Sequence, residues 1–186
     1  MRDISLICAI LTLEVIMNKK IFDKNITCCF TGPRPQNCSI NFDNDNITLK
    51  RVKNDIRKYL IEAINNGYIN FLCGMALGFD TLCFETLIEI KKEFQNIKLI
   101  SVLPCKDQCK FWYMYQQNKY YDLLKQSDET ICLYDKFIGA RCMIERNEFM
   151  VSNSSLLIAL NSNSNGTQFT INFAKKQHTK VILIEQ

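Results

Sequence analysis

The chain has 186 residues, 47% of them apolar, with 23 Lys and Arg against 19 Asp and Glu and a formal net charge of +4. The length fits one ordinary domain and is short for two, and the apolar content supports a buried core and excludes a disordered chain. So mild a charge argues against nucleic acid as a partner, because nucleic-acid-binding domains usually carry a pI above about 9 and a basic stripe.

The first 16 residues read as an apolar N-terminal extension. The run Ile4 to Ile16 falls short of the roughly 18 apolar residues of a membrane span, so no membrane association is expected. Arg2 and the run after it lack the small-residue cleavage site of a secretory signal. Met17 opens a more ordinary start, Met17-Asn18-Lys19-Lys20. A single domain is therefore expected over residues 17–186.

Ile26 to Thr31 is a compact run of strand formers ending at Gly32-Pro33. After a polar loop, Leu49, Val52, Ile56, Leu60 and Ala63 recur at helical spacing and predict a helix over Ile47 to Asn66, capped by Gly67. Ile69 to Cys73 predicts a second strand. A helix from about Asp80 to Gln95 follows, with Cys83, Leu87, Ile90 and Phe94 on one face. Ile97 to Leu103 predicts the third strand, ended by Pro104. Gln108 to Gln126 predicts a helix whose aromatic run, Phe111 to Tyr115, is expected to pack into the core rather than stack bases. Thr130 to Tyr134, Arg141 to Asn153, Ser155 to Leu160, Gly166 to Gln177 and Val181 to Ile184 complete the alternation as strand, helix, strand, helix and strand. Short strands, apolar on both faces and alternating with helices, predict an α/β fold: a Rossmann-like three-layer α/β/α sandwich with a mostly parallel sheet.

The ten cysteines are scattered through apolar runs without a Cys-x-x-Cys pair. They read as reduced core residues of a cytoplasmic protein rather than disulfides or zinc ligands. No metal site and no cofactor are expected. His178, the single histidine, lies in a Lys-rich turn and reads as a surface residue.

Four of the six glycines, Gly32, Gly74, Gly78 and Gly166, fall just after predicted strands. In a parallel sheet those ends share one edge, where ligands bind and helix N-termini favour anions. Four constellations gather there. Thr31-Gly32-Pro33-Arg34-Pro35 sets an arginine suited to phosphate or carboxylate on a stiff turn. Gly74-Met75-Ala76-Leu77-Gly78-Phe79-Asp80 is not the G-x-G-x-x-G of dinucleotide sites. In it Asp80 reads either as a helix cap or as an acceptor for ligand hydroxyls. Arg146-Asn147 places an amide on an otherwise apolar stripe with Met143 and Met150. Asn165-Gly166-Thr167-Gln168, with Thr170 a turn later, reads as a phosphate or hydroxyl cradle. The candidate ligand-binding set is Thr31, Gly32, Arg34, Gly74, Met75, Ala76, Gly78, Asp80, Arg146, Asn147, Gly166, Thr167 and Thr170. Asp80 and Glu85 are the weak candidates for acid or base chemistry.

Several ordered motifs resemble one group. They are Phe30-Thr31-Gly32-Pro33-Arg34-Pro35, the segment Gly74 to Asp80, Leu103-Pro104-Cys105 with Gln108 and Trp112, Arg146-Asn147 before Met150-Val151, and Gly166-Thr167 with Thr170. They look like the DUF1273 (YpsA-like) group of the SLOG superfamily, which also holds the DprA and LOG proteins. The resemblance runs from about Ile26 to Ile184. It implies a Rossmann-like sandwich that binds nucleotides or nucleotide-derived ligands. The chain departs from the group's pattern at Pro33, where His is usual, at Ser152 and Ser155, where acids are usual, and at Asn165, where Gly is usual. LOG phosphoribohydrolases carry a Glu soon after the matching threonine, where this chain has Gln168, Phe169 and Thr170.

Three functional expectations follow. The first is a sensor-like or regulatory protein that binds a small nucleotide-like ligand at the sheet edge. The second is a LOG-like N-glycosidic hydrolase of nucleotides or nucleoside phosphates. The third is a DprA-like binder of single-stranded nucleic acid, which the small net charge disfavours. Homo-oligomerisation is left open by the sequence.

Overall fold

The computed structural model describes residues 21–42 and 46–186; the extension over residues 1–16 and the start at Met17 lie outside them. The strands are β1 (Thr27–Thr31), β2 (Asn70–Cys73), β3 (Lys98–Leu103), β4 (Glu129–Cys132), β5 (Leu156–Leu160) and β6 (Lys180–Ile184). The α-helices are α1 (Ile47–Asn65), α2 (Phe79–Lys91), α3 (Met114–Leu124), α4 (Ala140–Ser152) and α5 (Asn165–Lys176). All strand pairings are parallel, in the order β4-β3-β2-β1-β5-β6. The chain runs outward from β1 to β4 and then returns to lay β5 against the free side of β1. That reversal opens a crevice beyond the carboxyl ends of β1 and β5.

Side-chain alternation divides the core into two layers. Cys28, Phe30, Phe71, Cys73 and Ile158 face α1, α2 and the buried Tyr120 of α3. Cys29, Leu72, Ile100, Leu157 and Ala159 face Phe149 and Met150 of α4 and Ile171 of α5. The expected three-layer sandwich is thus the observed one. The predicted apolar positions of α1, from Leu49 to Ala63, are all buried, and Asn46 caps the helix by accepting the Leu49 N–H at 2.8 Å. Gly67 follows at φ +91°, the left-handed turn that glycine adopts without a Cβ penalty.

Two helices depart from expectation. The helix predicted from Gln108 begins only at Met114, because residues 107–112 wind as tight turns packed over the β2–α2 loop. The aromatic run is correspondingly not core. Phe111 is 90% exposed and Tyr113 73%, with Tyr115 also exposed and Trp112 half-buried; Tyr120, beyond the run, is the buried aromatic of this segment. The helix predicted to reach Gln95 ends at Lys91, where turns through Phe94 and Ile97 lead the chain into β3.

All nine described cysteines are free and seven are buried. Cys105 and Cys109 lie in the segment between β3 and α3, and both are buried. His178 is exposed in a left-handed turn after α5, at φ +56°. Among the described residues no helix is long and apolar enough to cross a membrane.

Candidate functional site

The β1 and β2 strand ends interlock through glycine. A Cβ on Gly32 would lie 2.4 Å from the Cβ of Phe79, and one on Gly78, at φ +96°, would lie 2.7 Å from the Pro33 carbonyl oxygen. Neither position tolerates a side chain, so the loop carrying Arg34 seats directly on the first turn of α2. Met75 follows Gly74 in the left-handed region at φ +54°, a costly conformation for a non-glycine residue. Gln108 holds that backbone from above, donating from Nε2 to the carbonyls of Met75 at 2.8 Å and Gly74 at 3.3 Å.

Asp80 does not cap α2; Gly78 holds the N-cap position. The Asp80 carboxylate turns back, where Oδ2 accepts the Ala76 N–H at 3.3 Å and lies 3.5 Å from Arg146 Nη1. Both side chains are at least nine-tenths buried. Burial pushes the Asp80 carboxyl up from its ordinary value, against the pull of Arg146, the Ala76 N–H and Arg34. Burial likewise lowers the Arg146 guanidinium, against the pull of Asp80. On each side, loss of water outweighs the mutual attraction. Arg146 Nε and Nη1 are buried without a hydrogen-bond acceptor.

The crevice outside β1 and β5 has a volume of about 220 Å³. It brings together Thr31, Gly32, Arg34, Ala76, Asp80, Arg146, Asn147, Gly166 and Thr167, all singled out from sequence. Arg34 extends across it, with Nη2 4.0 Å from the Met143 sulfur and no acidic partner among the described residues. Two guanidiniums thus face one carboxylate. The N-terminus of α5 completes the wall: Ser164 is its N-cap and accepts the Thr167 N–H at 3.5 Å. Asn147 does not turn to backbone of the sheet edge. Its Nδ2 donates to Thr170 Oγ1 at 2.8 Å, and Thr170 Oγ1 donates to the Gly166 carbonyl at 2.8 Å. This chain of bonds fixes the first turn of α5 relative to Arg146.

Other candidates are placed elsewhere. Met75 is buried and its side chain joins the core. Gly74 lies beneath the Arg146 guanidinium, Gly78 beneath the β1 loop, and Thr170 is wholly buried. These four shape the crevice without lining it. Glu85 is not in the crevice. It faces a separate small hollow between α2 and α3, where it pairs with Lys119 at 2.7 Å. Sequence reasoning missed Phe30, Gln36, Asn37, Met143 and Ser164 as wall residues. A Ser three places before Thr167 is an N-cap signal that points to Ser164, and Met143 lies one turn before Asn147 on the same helical stripe; nothing local marks the other three.

A doubly wound parallel sheet with an arginine-bearing crevice at its switch point defines a Rossmann-like α/β protein. The family model for YpsA, described as the YspA SLOG family, matches residues 28–184. The chain belongs to that family, as its motifs led us to expect. A UPF0398 protein of Brevibacillus brevis is 26% identical over 139 residues, which is 73% of this chain and 74% of the relative. The UPF0398 protein YpsA of Bacillus subtilis is 24% identical over 131 residues, 70% of this chain and 72% of the relative.

Two solved structures share the fold. DNA processing protein A of Helicobacter pylori superposes with a TM-score of 0.59 at 16% identity, covering 89% of this chain and 70% of that one. That structure concerns the single-stranded DNA binding mode of the Helicobacter protein. DprA of Streptococcus pneumoniae superposes with a TM-score of 0.54 at 16% identity, covering 92% of this chain and 52% of that one. These likenesses are of fold.

Proposed function

We propose that the protein binds a small nucleotide or nucleotide-derived ligand in the crevice outside β1 and β5, in a sensor-like or regulatory role. The observation that carries this reading is Arg146, a buried cation in the crevice wall whose Nε has no acceptor and whose Nη1 has only the Asp80 carboxylate, at 3.5 Å. A buried donor without a partner costs about 1–3 kcal/mol, more when charged. A phosphate received between Arg146, Arg34 and the N-terminus of α5 balances the excess of two guanidiniums over the single carboxylate of Asp80. The nine described thiols, all free, go with a reducing, cytoplasmic compartment.

Binding is favoured over N-glycosidic hydrolysis by three side chains. Asp80 is engaged by Arg146 and the Ala76 N–H, and Glu85 lies outside the crevice. LOG proteins carry a Glu soon after the matching threonine, where this chain has Gln168, Phe169 and Thr170; Gln168 donates its amide to the Ser162 carbonyl at 2.7 Å.

The test is thermal unfolding with a panel of nucleotides and sugar phosphates, together with mass spectrometry of small molecules that co-purify. A ligand at one hundred times its Kd stabilises by about 2.7 kcal/mol. Arg34→Ala, at a half-buried loop position, removes the shift without unfolding the protein. If no phosphate compound raises the melting temperature of the wild type, the reading falls.

A second reading, binding of single-stranded nucleic acid, is favoured by the exposed rings of Phe111, Tyr113 and Tyr115, the last two stacked at 6.1 Å. Exposed aromatic rings stack bases without regard to sequence. It requires oligonucleotide affinity that falls steeply with salt and drops on Tyr113→Ala. Affinity for a mononucleotide equal to that for an oligonucleotide rules it out.

A further inference from the structure

We infer that the ligand is a nucleoside 5′-phosphate and that its base is held in a second hollow, between Phe111 and Phe137, continuous with the phosphate-receiving crevice. The inference rests on the reading of that crevice as an anion site and adds where the rest of the ligand goes. The second hollow has a volume of about 300 Å³ and shares Arg34, Gln36 and Met143 with the crevice. A ligand anchored on α5 and Arg146 passes Arg34 and enters it directly.

The walls of this hollow suit a planar aromatic ring. Phe111 is 90% exposed and Phe137 51%, with Trp112 half-buried beside them. Large apolar rings left in water gain most from a flat partner, and stacking is available to every base. The two phenylalanines come from different loops, which are tied together. Asp107 Oδ1 accepts the Phe137 N–H at 2.8 Å, and the Lys106 N–H donates to the Tyr134 carbonyl at 3.2 Å. The two loops that carry the rings are therefore tied together before any ligand arrives, which limits the ordering cost of the loops. The side chains of Asp107, Gln108 and Gln36 add polar groups around the same hollow.

The experiment is calorimetric titration of the full chain with ribose 5-phosphate and with the 5′-monophosphates of adenosine, guanosine, cytidine and uridine. It uses the wild type and the Phe111→Ala/Phe137→Ala double variant. Both side chains are exposed, so the variant keeps its fold, which its melting temperature checks. At least one nucleoside monophosphate is expected to bind the wild type ten-fold or more tighter than ribose 5-phosphate. The double variant should lose that advantage while its affinity for ribose 5-phosphate stays within two-fold. Equal affinities for all five probes in the wild type overturn the base subsite and leave the anion site standing. An advantage that survives in the double variant also overturns it, as does an equal weakening of both classes of probe. Binding of none of the five overturns the subsite together with the anion reading on which it rests.

Discussion

Arg146 occupies the space that a side chain on residue 74 would need. A Cβ built on Gly74 would lie 1.4 Å from Arg146 Nη1 and 2.8 Å from Asp80 Oδ2. The floor of the crevice is therefore a bare stretch of backbone with a buried guanidinium laid over it.

From this contact, Gly74→Ala must drive the guanidinium from its place beside Asp80. Overpacking of this kind costs about 1–3 kcal/mol, and we predict a loss in that range by urea unfolding together with loss of phosphate binding. Gly166 makes the control, since a Cβ there meets nothing within 4 Å. Gly166→Ala should leave stability within about 0.5 kcal/mol and weaken binding if the ligand approaches the α5 backbone. Equal effects of the two substitutions on stability would contradict the geometry.

Asp80 and Arg146 form a pair in which each partner is the other's main compensation in a dry setting. Breaking such a pair from one side typically costs about 3–5 kcal/mol, while replacing both can cost little. We predict that Asp80→Asn alone lowers stability by about 3 kcal/mol. The double variant Asp80→Asn/Arg146→Met should recover at least about 1 kcal/mol of that, read as a coupling energy in a double-mutant cycle. Additive losses would mean that the two groups do not interact.

Asp128 gives the acid limb of stability a local origin. Burial raises its carboxyl, but Lys91, the Leu99 N–H and Lys98 together outweigh that and hold it below its ordinary value of 3.8. The Leu99 N–H donates to Oδ2 at 2.7 Å. A carboxyl depressed in the folded state contributes stability above its unfolded pKa, and that contribution is lost as pH falls through the folded value. The side chain is 37% exposed, so solvent screening brings the worth of the pair down to about 1 kcal/mol. Asp128→Asn should cost about that much at pH 7 and nothing once the pH has passed below the folded carboxyl's range. Asp80 has the opposite sign. Its raised carboxyl favours the folded state at low pH, and that advantage is lost as pH rises through the folded value.

Gln108 braces the left-handed turn at Met75. Gln108→Ala leaves the Gly74 and Met75 carbonyls without their side-chain donor, at a cost of about 1–2 kcal/mol. In a chain of this size that corresponds to a fall in melting temperature of roughly 2–4 °C per kcal/mol. An unchanged melting temperature would show that the turn holds itself.

The buried thiols should be inert in the native protein. Burial pushes Cys29 up to about 12, with the charge of Asp80 adding to the rise. Cys28, Cys73 and Cys83 are also raised, chiefly by burial. Because the thiolate is the reactive form, iodoacetamide at pH 8 should spare these four while modifying the half-buried Cys38. Peptide mass spectrometry reads the outcome, and alkylation of Cys29 at the rate of Cys38 would show that the core opens readily.

The sequence by itself determined the layers and which strand ends would gather at one rim. Continuous apolar strands such as Leu156–Leu160 and the periodic face of Ile47–Asn65 are local patterns that burial on two faces or one imposes directly. The glycines after β1 and β2 marked the rim, because close backbone approach excludes a Cβ wherever it occurs. Only the tertiary structure decided which rim residues face the crevice. Met75 and Glu85 lie within a few residues of Asp80 yet point elsewhere, since a left-handed turn redirects one and helical phase the other. The exposure of Phe111 and Phe137, and the bond from Phe137 to Asp107 that sets them across one hollow, join segments 30 residues apart. No periodicity records such a contact, because it depends on how two loops meet after the sheet has formed.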